Sequence, residues 1–150
     1  MQILVDGDAC PVVQEVLGIA RELKASVKVL SSLNHYSEDS VETVFVDNGF
    51  QSVDIKIANM VSEEDIVVTD DYGLAALCIG RGAAVITSRG IVLDESSIQE
   101  VLFKRYLGAK IRRGGGRTKG PRSLSQDDRK LFAKKLQELV GERRLYTDKD

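Results

Sequence analysis

The chain has 150 residues, 43% of them hydrophobic and 29% charged, with no Trp; this is ordinary composition for a soluble domain with a real core. No apolar run reaches the length of a membrane span, and the N-terminus lacks the basic-then-apolar pattern of a secretory signal, so no membrane partner is expected. The formal net charge of −2 conceals a division, since residues 1–100 carry 6 Lys/Arg and 17 Asp/Glu while residues 101–150 carry 15 and 6. Such asymmetry points to an anionic partner for the last third, unless the basic segment only neutralises the acidic body. Cys10 and Cys78 have no metal-ligand spacing, which predicts a reduced, cytoplasmic setting and no disulfide partner.

In chain order, Gln2–Val5 reads as a buried strand and Pro11–Leu23 as a helix, with Val12, Val16, Ile19, Ala20 and Leu23 at helical spacing. Val27–Leu30 is a second strand, residues 31–40 a polar loop, and Val41–Val46 a β-branched third strand before a turn at Asn48-Gly49. Val53–Val61 follows as a helix with Ser52 as its cap, then a strand over Ile66–Thr69, a helix over Leu74–Ile79 and a strand over Ala84–Thr87. Ser97–Leu107 closes the body as an amphipathic helix. The repeated β-then-α order predicts an α/β fold, a mainly parallel central sheet with helices on both faces.

The rest of the chain differs in kind. Residues 108–124 hold Lys110, Arg112, Arg113, Arg117, Lys119 and Arg122 with many glycines and almost no apolar content, which predicts a flexible basic loop. Ser125-Gln126-Asp127-Asp128 resembles a helix start, and Leu131, Phe132, Leu136, Leu139 and Val140 give the helix over 125–141 a stripe that must dock. The predicted organisation is one domain over 1–150, with a body over 1–107, the loop over 108–124 and the final helix.

The chemistry is concentrated in aspartates. Asp6 and Asp8 end the first strand, and Asp70 and Asp71 follow the strand that starts at Ile66. Carboxylates at the carboxyl ends of separate strands in an open parallel sheet assemble an acidic pocket. Like charges so placed repel unless a cation lies between them, and hard oxygen donors favour Mg2+ or Mn2+. Gly7 removes bulk where backbone and ligand approach. Asp8 reads equally as a cap for the first helix, one of Asp70 and Asp71 as a cap for the next, and Asp54 by spacing as a first-turn acid. His35 is a lone histidine in a polar loop, and Cys10 beside Pro11 reads as packing in preference to a reactive thiol.

Four segments together carry a resemblance: Val5-Asp6-Gly7-Asp8-Ala9-Cys10-Pro11-Val12, Asn48 through Ile57, Asp65 through Ala75, and Arg112 through Phe132. In that order they resemble the YaiI/YqxD family of small bacterial proteins, which is similar in turn to the PIN-like nuclease superfamily. The resemblance implies a PIN-like three-layer fold in which acidic residues surround Mg2+ or Mn2+. It implies catalytic roles for Asp6, Asp54 and Asp70, with Asp8 and Asp71 as further metal ligands. The chain departs from the pattern at Gln51, where many relatives carry an acid, and at Gly7 and Val53, where they carry Ala. The expected function is a metal-dependent nuclease, RNA preferred, gripping its substrate through the six basic residues named above. Six phosphate contacts predict a salt slope of about −4 on a single strand. Two rivals are a non-catalytic RNA- or ribosome-associated protein and a haloacid-dehalogenase-like phosphatase with Asp6 as nucleophile and Asp8 as general acid.

Overall fold

A computed structural model of the chain describes residues 1–8, 10–32, 42–45, 52–116 and 122–148. The polar loop beyond Ser32, the Asn48-Gly49 turn, His35, Gln51, Arg117 and Lys119 lie outside the described residues. In order, the elements are β1 (Gln2–Asp6), α1 (Val13–Leu23), β2 (Ser26–Ser31), β3 (Glu42–Phe45), α2 (Val53–Met60), β4 (Ile66–Val68), α3 (Tyr72–Gly80), β5 (Ala84–Ile86), β6 (Val92–Leu93), α4 (Glu95–Arg113) and α5 (Gln126–Asp148).

Among the described residues the strands form one sheet in the order β3-β2-β1-β4-β5-β6. The first five are parallel, and only β6 runs antiparallel to β5. The chain leaves β1 outward through β2 and β3, then returns to pair β4 on the other side of β1. This reversal opens a crevice at the carboxyl ends of β1 and β4.

Period-two alternation divides the core between the faces. Ile3, Val5, Ile66, Val68 and Ile86 pack with α1 and with Phe132, Leu136, Leu139 and Val140 of α5. Leu4, Val67 and Val85 pack beneath α2, α3 and α4. The apolar stripe of the final helix, except for the exposed Leu131, thus docks against α1 and the sheet, and Phe132 is fully buried. Gly90, at φ +81°, permits this approach, because a Cβ there would meet the Phe132 backbone at 3.3 Å.

Three expectations change. The predicted basic loop from 108 is helical through Arg113. Between Gly108 and Gly114 the residues Ala109 to Arg113 are mostly good helix formers, one interior glycine costs only about 1 kcal/mol, and cations in a last turn suit the helix dipole. At its other end, α4 begins before Ser97 because Asp94 and Ser97 form a reciprocal capping box. β6, too short to show alternation, forms as the chain turns back over Thr87–Ile91, where Thr87 N–H donates to the Ile91 carbonyl at 2.9 Å.

Candidate functional site

Register brings the strand ends together. Val5 lies level with Val68, and Val68 with Ile86, so Asp6, Thr69 and Thr87 leave the sheet side by side. Thr69, itself buried, donates from Oγ1 to Asp6 Oδ2 at 3.0 Å and accepts from the Asp71 N–H at 3.0 Å. Asp6 is only 6% exposed. Burial raises its pKa above the ordinary 3.8; the Thr69 bond opposes this, and repulsion from Asp71, Asp8 and Asp54 adds to it. These three carboxylates therefore lie within electrostatic reach of Asp6. Asp70 and Asp6 in turn help burial push the Cys10 thiol up to about 12.

Each of the other four acids has a local attachment. Asp8 does not cap α1, which has no side-chain cap; it accepts from the Ser31 hydroxyl at 2.8 Å, the Ser32 hydroxyl at 2.6 Å and the Ser32 N–H at 3.0 Å. Asp70 accepts from Ser88, at 2.7 Å from N–H and 2.6 Å from Oγ. Asp71 is the cap of α3, accepting from the Gly73 and Leu74 N–H groups at 2.9 and 3.2 Å. The open choice at 70–71 is thereby resolved. Asp54, in the first turn of α2, accepts from the Ile55 N–H at 3.0 Å and from the Ser52 hydroxyl. Ser52 holds the cap position without bonding the helix backbone. Gly7 serves packing: a Cβ there would stand 2.9 Å from the Leu30 carbonyl oxygen, so the close approach is to β2.

Among the described residues, no three His, Cys, Asp or Glu side chains stand together as a ready-made metal cage. The donors are nonetheless carboxylates, the chemistry Mg2+ takes. Mg2+ is commonly held through one or two carboxylates plus water and substrate phosphate, and Asp6 with one neighbour fits that mode.

Beside the acids lies a cavity of about 670 Å³ lined by Asp70, Tyr72, Ser88, Arg89, Arg122 and Arg129, among others. Arg122 grips Asp128 through both terminal nitrogens, at 2.6 and 2.9 Å, and this pairing holds the Asp128 carboxyl well below the usual range. Arg89 reaches the same carboxylate at 3.4 Å and donates to the Arg122 carbonyl. Arg129 donates to Glu15 and to the Pro11 carbonyl, both at 2.9 Å. The guanidinium of Arg105, from α4, lies 5.8 Å from the centre of the Tyr72 ring.

Of the six predicted basic residues, Arg122 is thus engaged at the cavity rim, and Lys110, Arg112 and Arg113 project from the exposed end of α4. Sequence reasoning missed Thr69, Ser88, Arg89, Arg105 and Arg129. Thr69 and Ser88 had a usable signal, a hydroxyl at a strand end beside a carboxylate. The arginines had none, because they come from separate segments.

Cys10 and Cys78 are free thiols, and burial pushes Cys78 as well up to about 12. Among the described residues no helix is long and apolar enough to cross a membrane.

The family model described as "Uncharacterized BCR, YaiI/YqxD family" matches residues 4–142. A UPF0178 protein of Clostridium kluyveri is 40% identical over 151 residues, covering 100% of this chain and 99% of the relative. One from Clostridium tetani is 42% identical, covering 94% and 97%, and one from Staphylococcus aureus (strain MRSA252) is 39% identical, covering 92% and 93%. No solved structure matches significantly. The acids at the sheet's switch point and the basic elements beside them fall within the matched span, and the chain belongs to the YaiI/YqxD family.

Proposed function

We propose that the chain is a phosphodiester hydrolase acting on RNA in the cytoplasm, with a PIN-like sheet as its frame and Mg2+ or Mn2+ as its cofactor. One observation carries the reading: a buried carboxylate, Asp6, stands at the switch point with Thr69 as its one hydrogen-bond donor among the described residues, while four further acids line the same strand and helix ends. A carboxylate kept this far from water among other negative charges is costly to keep for packing alone.

Thr69 fixes the rotation of Asp6 by holding Oδ2, so Oδ1 is the atom available to water or cation. Asp6 would hold the ion with Asp70 or Asp54 as its neighbour, and Asp8 and Asp71 would contribute through water. When bound, the ion would supply charge neutralisation and a water of lowered pKa at the scissile phosphate. Ser88 keeps Asp70 directed along the cavity wall. Arg89 and Arg122 share the carboxylate of Asp128, and Arg129 pairs with Glu15, so a phosphate backbone would bind that wall by competing for these guanidinium donors, and the Tyr72 ring offers a face for a base. Lys110, Arg112, Arg113, Arg117 and Lys119 would extend the grip along the strand.

A second reading, binding without cleavage, is favoured by the attachments of Asp8, Asp70 and Asp71, which give each a structural use. The phosphatase reading is weakened by Asp8, both of whose oxygens already accept from Ser31 or Ser32.

The test is cleavage of end-labelled single-stranded RNA, with DNA in parallel, in Mg2+, Mn2+ or chelator, by the intact chain and by Asp6→Asn. The nuclease reading expects metal-dependent cleavage that Asp6→Asn lowers by about 100-fold or more, with RNA retention on a filter unchanged. RNA retention with no cleavage in either metal would leave the binding protein as the correct description.

A further inference from the structure

Helix α4 presents an apolar stripe to the outside. Phe103, Tyr106, Leu107 and Ile111 are 60, 55, 41 and 51% exposed. Phe103, Leu107 and Ile111 follow each other at intervals of four, and Tyr106 lies beside them, so they share one face. The opposite face, through Ile98, Val101 and Leu102, is the one that meets the core. Leu77 of α3, 59% exposed, and Ile55 of α2, 49% exposed, face outward from the same helical layer.

Charge along this outer face is polar in the literal sense. Glu95 and Glu100 occupy the N-terminal half, with Lys104 bonded to Glu100, and Lys110 and Arg113 the C-terminal half. Residue 105 is the centre of both patterns: Glu100 and Lys110 lie equally far from it, and so do Phe103 and Leu107. A surface with apolar residues at its middle and opposite charges at equal distances on either side is complementary to itself under a two-fold rotation.

We infer that two copies of this chain pair through antiparallel α4 helices. Phe103 of each copy packs on Leu107 of the other, the Tyr106 rings meet near the axis, and Glu100 faces Lys110. The Glu100–Lys104 contact within the helix, 3.1 Å long and well over half exposed at both ends, is worth little and exchanges freely for the inter-copy pair. Arg105 lies on the other side of the helix from Phe103, beside the Tyr72 ring, so pairing leaves the basic group nearest Tyr72 uncovered.

Sedimentation equilibrium of the full chain across the micromolar range tests this. The expected mass is twice the 16.5 kDa of one copy. Phe103→Asp is expected to weaken association by about tenfold or more, and Glu100→Lys to weaken it less. Combining Glu100→Lys with Lys110→Glu in one chain restores pairing, because both copies then carry the reversed pattern. Thermal unfolding of each variant shows that the exposed substitutions leave the fold intact, and the charge variants stand as the test should Phe103→Asp not fold. A monomer at every concentration overturns the inference, and so does a dimer indifferent to these changes or a charge swap that fails to restore. Loss of RNA retention in Phe103→Asp, with wild type monomeric, would instead make the stripe a stacking platform and equally end the proposal.

Discussion

Two buried carboxylates sit at opposite ends of the same strand pair, and they are treated in opposite ways. Asp65, 3% exposed just before β4, accepts from the Ser62 N–H at 2.9 Å and from the Gln2 N–H at 3.1 Å. Its charge is spent closing the amino ends of β1 and β4. Asp6, at the carboxyl end of β1, receives one hydroxyl among the described residues and feels the repulsion of Asp71, Asp8 and Asp54. A carboxylate supplied with N–H donors is a structural part; one supplied with like charges is held at a cost, and such costs are characteristic of functional sites.

The largest expected effect that would sharpen this contrast is on cleavage, where Asp6→Asn removes about 100-fold or more and Asp65→Asn leaves the rate per folded molecule unchanged. Stability should respond the other way. Asp65→Ala leaves two backbone N–H groups without their acceptor and is expected to cost about 1–3 kcal/mol in urea unfolding. For Asp6 the folded pKa lies above the ordinary 3.8, so its contribution to stability is full below that value and is lost as pH rises through the folded value. In chelator at pH 7, Asp6→Asn therefore unfolds at a higher temperature than wild type, and the difference closes at low pH. A wild type that unfolds higher at pH 7 would break the comparison. Asp71→Ala, which loses the cap of α3, is expected to cost about 1 kcal/mol and to lower cleavage far less than Asp6→Asn. The smallest effect concerns Cys10 and Cys78. With both pKa values near 12, the intact protein resists iodoacetamide at pH 8, and rapid labelling before unfolding would contradict their burial.

Much of this was legible in the chain. Alternation and helical spacing located five of the six strands, and the apolar stripe of α5 announced its docking through Phe132 and Leu136. Asp71 as a cap and Asp70 as a neighbour of the cavity were present as two open choices. The basic segment was misread because its composition averages over a boundary. The helix-forming residues up to Arg113 belong to α4, and the run of glycines begins only at Gly114.

The sequence by itself determined which residues are apolar at period two or at helical spacing, and therefore the α/β layering and the family. Local rules suffice there, since side-chain direction follows directly from backbone periodicity. Tertiary structure decided the rest: the strand order that opens the crevice between β1 and β4, the pinning of Asp6 by Thr69 from 63 residues away, and the gathering of Arg89, Arg122 and Arg129 around one cavity. Those contacts depend on which strand lies beside which, a property of chain return that no local spacing encodes.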